Sequence, residues 1–288
     1  MPTLRDIKRR IKAVSNTRQI TKAMKMVAAA KLRKSQSRMF ELRPYAEKME
    51  DVLSSLASGA DSTLHPLLTA RPRKTVEVLV ITSDRGLCGA FNNNILKTAA
   101  GVISGLKKDW FDVTITAIGK KAIDYFKRRN VPLRRTWAGL SGRVTYASAQ
   151  EVTNDIIENY IGETFDEVLL IHNEFLSVMA QKVTKVKLLP LVGTGDDSAP
   201  QASVDFLYEP SQEDIYQVLL PKKVGIQIYR ALLESQASEE GARMTAMGNA
   251  TKNADEMIDR LTLQYNKARQ ATITRELMDI VGGVEALK

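Results

Sequence analysis

Thr82-Ser83-Asp84-Arg85-Gly86-Leu87-Cys88-Gly89-Ala90-Phe91-Asn92 is the stretch of this 288-residue chain whose residue types could do chemistry. It follows an apolar, strand-like run and opens a helical one, a place where backbone N–H groups can cradle an anion. Asp84, at a strand's carboxyl end, could act as an acid or a metal ligand. The loop has neither G-x-x-x-x-G-K-S/T nor G-x-G-x-x-G, and no lysine is placed to reach a phosphate. It therefore reads as a tight turn with an Asp84–Arg85 pair and glycines set by backbone geometry.

Cys88 has no histidine near it in sequence. The two histidines, His65 and His172, fall in a loop and at a strand end. A Cys–His pair would need both brought together with a third, orienting group, and a small buried thiol is the simpler reading. One cysteine and two histidines do not make a structural zinc site. The carboxylates are scattered, with no acid–base pair among them. No metal, no cofactor and no catalytic centre is expected.

The elements that would position this loop change period along the chain. Val76–Ile81 is an apolar strand, Asn92–Lys108 a helix, Val113–Ile118 a strand and Lys120–Arg129 a helix. Ser148–Tyr160 is a helix, Glu167–Ile171 and Val183–Leu189 are strands, and Val204–Tyr208 is a further short extended segment. Strands alternating with helices imply a Rossmann-like α/β domain with a mostly parallel sheet covered on both faces.

The ends of the chain are different. Lys222 to Lys288 has no proline and reads as one helix, on the order of 100 Å long at about 1.5 Å per residue. No domain of this size can wrap such a rod, so it must project. Between Thr3 and Arg43 there is neither proline nor glycine. Leu4, Ile7, Ile11 and Val14 begin an apolar seam that continues through Ile20, Met24 and Val27. Pro44 should kink this helix, and Ser58-Gly59-Ala60-Asp61 should end it. Near the other terminus Ala254, Met257, Ile258, Leu261, Tyr265 and Ala268 form one face, and Ile273, Leu277, Ile280 and Val281 a rotated continuation. The expected architecture is α/β: an antiparallel coiled coil of the two terminal helices (1–58 and 210–288) around a globular domain at 74–209. The methionines Met24, Met26, Met244 and Met247 read as coiled-coil filling, with a soft contact surface as the alternative.

The net charge of +9 is a property of one segment. Residues 1–50 hold fourteen Lys/Arg against four Asp/Glu, whereas Glu239–Lys288 holds seven against eight. A partner of the first helix should therefore present acid or phosphate. No apolar run is long enough to cross a bilayer. The charged N-terminus has no apolar signal core and, unlike a transit peptide, alternates acid with base. With one cysteine, the chain reads as soluble and intracellular.

Three blocks carry a family resemblance. They are Asn16-Thr17-Arg18-Gln19-Ile20-Thr21-Lys22-Ala23-Met24-Lys25-Met26-Val27-Ala28, then Ser83 to Gly89, then Ala237 to Met247 continuing through Tyr265 to Gly283. In this order and over nearly the full length, they resemble the gamma subunit of F-type ATP synthases. The resemblance implies a central rotor shaft with no catalytic site of its own. It couples proton flow through a membrane c-ring to conformational cycling of catalytic beta subunits. The implied partners are a ring of alpha and beta subunits around the shaft, an epsilon subunit and the c-ring. One copy is expected per complex, with no nucleic acid and no direct membrane insertion. The missing transit peptide implies a bacterial chain, peripheral on the cytoplasmic side of the inner membrane.

By the same resemblance, Met24, Arg243, Arg269, Gln270, Thr274, Glu276 and Asp279 make coupling contacts to the alpha/beta ring. Lys8, Arg9 and Arg10 form a basic shaft face toward an acidic lever loop of beta. Phe206, Tyr208 and Glu209 form the foot on the c-ring and epsilon. The chain departs from the family in lacking the cysteine pair of the chloroplast form and in its charged tail, Val284 to Lys288.

Two readings from other classes stand beside this one. A nucleotide-binding α/β protein would hold phosphate on the Asp84–Gly89 loop. A nucleic-acid-binding coiled coil would use the basic helix, though that helix has an apolar seam and no aromatic before Phe40.

Overall fold

Seven residues, Thr75–Ile81, set the architecture of the middle of the chain. They form the central strand β1, whose side chains alternate between two cores. Val76, Val78 and Val80 face one, Leu79 and Ile81 the other. That alternation is the period-two signature of a strand covered on both sides.

The computed structural model describes residues 3–57, 65–142, 144–191 and 212–285. The first helix, α1, is Leu4–Ala57. After β1 come α2 (Phe91–Lys108), β2 (Asp112–Ile118), α3 (Lys120–Lys127) and β3 (Arg135–Trp137). Then follow α4 (Tyr146–Ile161), β4 (Glu167–Phe175), β5 (Gln181–Leu189) and α5 (Gln212–Glu285). The described sheet has the order β3-β2-β1-β4-β5. All its pairings are parallel except β4 with β5.

The order reverses direction at β1. Crossovers from β1 to β2 and from β2 to β3 put α2 and α3 on one face, and the return to β4 puts α4 on the other. Ile95, Ala99 and Ile103 of α2 and Ile123 and Phe126 of α3 fill the first core. Val152, Ile156 and Tyr160 of α4 fill the second, with Tyr216, Leu220, Val224, Ile228 and Leu232 of α5.

Helices α2, α3 and α4 end alike. Trp110, Asn130 and Glu163 take left-handed φ values of 64°, 53° and 58°. The next N–H in each case turns back to a carbonyl five residues earlier, as Phe111 does to Leu106 at 3.1 Å. This is the Schellman closure, usually given to glycine.

The expected helices and strands are present with shifted ends. β4 runs on to Phe175 rather than stopping at Ile171, and β3 was not expected at all. Helix α5 begins at Gln212 and continues through Pro221. Buried Tyr216, Leu220 and Val224 step by four across the proline, so their burial outweighs the missing backbone bond. Helix α1 likewise runs through Pro44. The expected segment Val204–Tyr208 and the stop at Ser58–Asp61 lie outside the described residues. No helix among the described residues is long and apolar enough to cross a membrane.

The chain forms two compact units, Ala29–Ala242 on one hand and Met1–Ala28 with Arg243–Lys288 on the other. Helices α1 and α5 contribute to both.

Candidate functional site

The loop after β1 is built around structure, not around a ligand. The Asp84 carboxylate accepts three backbone N–H groups: Lys120 at 3.0 Å, Gly139 at 3.1 Å and Ser141 at 3.1 Å. It caps the start of α3 and gathers the 139–141 turn, rather than forming the expected pair with Arg85. Thr82 works beside it, accepting from the Ala122 N–H at 2.9 Å and donating to the Ile118 carbonyl at 3.1 Å. Gly119 (φ 94°) is required there, because a Cβ would lie 2.2 Å from the Thr82 carbonyl oxygen.

Cys88 is buried and accepts a hydrogen bond from Asn92 Nδ2 at 3.1 Å. Asn92 also holds Ser83 through its N–H and hydroxyl. The histidines lie elsewhere. His65 is buried, its Nδ1 accepts the Leu67 N–H at 3.1 Å, and burial lowers its proton affinity. His172, on β4, faces Glu234 of α5 at 3.2 Å. Among the described residues no group of His, Cys, Asp and Glu could hold a metal ion.

A doubly wound sheet offers ligands the crevice at the carboxyl ends of its strands, where the order reverses. Here α5 fills that space. Leu232, Ser235, Gln236 and Glu239 close over Ile81, Thr82, Ile118 and Ser141, leaving a cavity of about 10 Å³. A buried carboxylate in that position repels phosphate, and the nucleotide-binding alternative gains no support.

What remains is the shaft. In the smaller unit the start of α1 and the end of α5 run antiparallel. Arg18 Nη1 donates to Asp255 Oδ1 at 3.0 Å, and Thr251 donates to the Thr21 hydroxyl at 2.8 Å. Gly248 lies against the Lys25 stem, where a Cβ would sit 3.7 Å from Cε. Successive contacts rise along α1 as they fall along α5, which fixes the direction. Thr21 and Ala28 are buried in this seam with Met247 and Ala254. The expected seam residues Ile20 and Val27 instead face outward, 61% and 56% exposed. Small and polar residues at this stretch of the contact let the two backbones approach closely and leave Ile20 and Val27 outside, whereas Ile7 of the expected seam is buried.

Beyond Ala268, every described side chain of α5 is exposed, Ile273, Leu277, Met278, Ile280 and Val281 included. Single exposed apolar residues are ordinary, but a helix end apolar on several sides marks a surface that meets another protein.

A sequence model described as ATP synthase matches residues 3–287. The chain is 49% identical to an ATP synthase gamma chain of Anaeromyxobacter dehalogenans, with full coverage of both. It is 48% identical to that of Heliobacterium modesticaldum and 46% to that of Trichlorobacter lovleyi, again over the whole of each. The chain belongs to the ATP synthase gamma-chain family. Among solved structures it is similar to a central-stalk chain of the Tetrahymena thermophila mitochondrial ATP synthase. That match has a TM-score of 0.60 and 28% identity, covering 80% of this chain and 99% of that one. A chain of the Euglena gracilis mitochondrial enzyme shares the fold, with a TM-score of 0.67 and 23% identity over 99% of this chain and 94% of that one.

The gamma-family positions singled out from sequence fall in three places. Arg269, Gln270, Thr274 and Glu276 stand exposed on α5, where the Thr274 hydroxyl bonds back to the Gln270 carbonyl at 2.9 Å. Asp279 lies on the same helix. Met24 is half-buried on α1 and Arg243 is buried on α5. Lys8, Arg9 and Arg10 are exposed on α1, and Arg9 reaches back to Asp6 at 2.9 Å. Asp6 is held below the usual carboxylate range by the Thr3 hydroxyl, and Arg9 and Arg10 add to this. Phe206, Tyr208 and Glu209 lie outside the described residues.

Proposed function

We propose that this chain is the central rotor shaft of a bacterial F-type ATP synthase. Its paired terminal helices stand inside a ring of alpha and beta subunits. Its α/β domain rests on the c-ring beside epsilon, and one copy serves each complex. Rotation of the c-ring, driven by protons, turns the shaft and drives the beta subunits through their catalytic states. The ATP chemistry belongs to those subunits, and this chain contributes no catalytic residue. It is peripheral on the cytoplasmic side of the inner membrane. It contacts no nucleic acid and inserts no segment into the bilayer.

The observation that carries this reading is the exposed apolar end of α5, on a helix that lower down is paired with α1. Such an end needs a sleeve, and a shaft turning within a ring has one. Functionally the chain divides into residues 1–58 and 210–288 as shaft and 74–209 as foot. Met24, Arg243, Arg269, Gln270, Thr274, Glu276 and Asp279 contact the ring. Surface polar pairs contribute only about 0–1 kcal/mol each, so contacts of this kind can define resting angles without locking rotation. Lys8, Arg9 and Arg10 face acidic groups of beta, and Phe206, Tyr208 and Glu209 form the foot contact.

The test is affinity purification of the tagged chain from its source membranes. Alpha and beta subunits should accompany it in a complex that hydrolyses ATP. A folded, tagged chain recovered without either would end the rotor reading.

A further inference from the structure

Every residue of α5 from Ala231 to Gly241 is buried. A helix is buried on all sides only where neighbours surround it, and such helices are normally apolar throughout. This one is not. Within the larger unit Glu234, Ser235, Gln236, Ser238, Glu239 and Glu240 are all enclosed.

Their partners come from different directions. Glu234 meets His172 of β4 at 3.2 Å, and Ser238 donates to the Asn173 carbonyl of the same strand at 3.3 Å. Glu239 accepts from the Ser141 hydroxyl at 2.5 Å, on the turn whose backbone is held by Asp84. Glu240 faces Lys31 of α1 at 3.6 Å. Gly241 closes the ring, with Phe175 Cε2 3.4 Å from the position its Cβ would take. Among the described residues the side-chain carbonyl of Gln236 has no hydrogen-bond partner, and Gln236 lines the cavity of about 10 Å³, room for one bridging water.

We propose that these groups form a polar collar that fixes the rotational setting of α5 within the α/β domain. The collar's anchoring residues are Ser141, Ser238 and Glu239, acting as positioning residues for torque. Apolar burial is non-directional and would let a helix settle at neighbouring angles. Hydrogen bonds are directional and hold one angle. Torque entering through the domain leaves along α5, which continues unbroken to Glu285. The collar is where slip between the two is prevented. This inference rests on the rotor reading.

The test uses the assembled complex in inverted membrane vesicles, reading proton pumping per ATP hydrolysed. The double variant Ser141→Ala/Ser238→Ala should assemble and hydrolyse ATP but pump fewer protons per ATP. Uncoupled hydrolysis should rise about fivefold for each bond lost, the factor corresponding to about 1 kcal/mol. Glu239→Leu should behave like Ser141→Ala, whereas Glu239→Gln keeps an acceptor for the Ser141 hydroxyl and should restore the ratio. An assembled double variant with the wild-type ratio overturns the collar. If the double variant does not fold, the single variants Ser141→Ala and Glu239→Leu are read in the same way. A wild-type chain that fails to assemble with alpha and beta counts against the rotor reading instead, so the two failures are distinct.

Discussion

Arg134 reaches into the sheet from the residue before β3 and meets the enclosed carboxylate of Glu77 on β1, Nε to Oε1 at 3.3 Å. Glu77 is completely buried, and its other oxygen takes the Thr114 hydroxyl. Arg134 also donates to Asp155 at 2.7 Å and to Thr116 at 3.0 Å, and lies over the Phe165 ring. Burial works against the guanidinium's charge, but Asp155 and Glu77 together more than offset it and raise its pKa. Arg134→Met should therefore destabilise the chain by about 3–5 kcal/mol, because it strands a buried charge. Replacing both partners, Glu77→Leu with Arg134→Met, should recover much of that loss. Urea unfolding of the three proteins decides the matter. Equal stabilities for the single and double variants would remove the pair from the account.

Asp84 is the residue that sequence alone made most suspect, and its geometry turns the expectation toward stability. Asp84→Ala leaves three backbone N–H groups without their acceptor. Two of these bonds are exposed and the third only part-buried, so water takes up part of the loss. The cost should be about 1 kcal/mol, as for a helix cap. ATP titration of the isolated chain should show no saturable binding for either protein. Saturable binding to the wild type that Asp84→Ala abolishes would restore the loop as a phosphate site.

The sequence pattern reached as far as local rules could carry it. Long proline-poor ends, and Val76–Ile81 among turn signals, were enough for two terminal helices around a parallel sheet. It did not reach β3, whose residues Arg135-Thr136-Trp137 carry no alternating apolar signal. It assigned Ile20 and Val27 to the coiled-coil seam because they are apolar and well spaced. The seam instead uses Thr21, Lys25 and Ala28, since close approach of the helices favours small residues and flexible stems. The collar was illegible for a different reason. Ser141 and Glu239 are 98 residues apart and meet only after the sheet and α5 have packed. Nothing at either position announces the other.

Trp110 offers a check on backbone strain. It occupies the left-handed position after α2 and is 95% exposed, so its side chain contributes almost no packing. A left-handed conformation costs a residue with a Cβ roughly 1–2 kcal/mol. Trp110→Gly should raise the unfolding free energy by about 1 kcal/mol, less the entropy that glycine adds to the unfolded chain. Trp110→Ala should give no such gain. A destabilised glycine variant would mean that the indole makes an unrecognised contact.

The Glu234 carboxyl is pushed up by burial, but hydrogen bonds from His172 and Arg230 outweigh this and hold it below its ordinary 4.5. A depressed folded value stabilises the native state above the unfolded value. That contribution disappears as pH falls through the folded value. Glu234→Gln removes the titrating group, so wild type and variant should differ most in melting temperature above pH 4.5 and converge below it. Curves that stay parallel from neutral pH into strong acid would exclude Glu234 as a contributor to acid lability.

Lys8, Arg9 and Arg10 stand in water on the first turns of α1. Arg9, with its side chain 82% exposed, pairs with the nearby Asp6. Reversing all three charges should leave the melting temperature of the isolated chain nearly unchanged, since exposed pairs contribute about 0–1 kcal/mol. If these residues face an acidic lever of beta, as proposed, the same change in the complex replaces attraction with repulsion. ATP-driven proton pumping or assembly yield should therefore fall, and fall most at low salt, where exposed charges are least screened. Lys8→Gln, Arg9→Gln and Arg10→Gln together should give an intermediate loss. Wild-type synthesis by the charge-reversed complex at every salt concentration would strip these three residues of any coupling role.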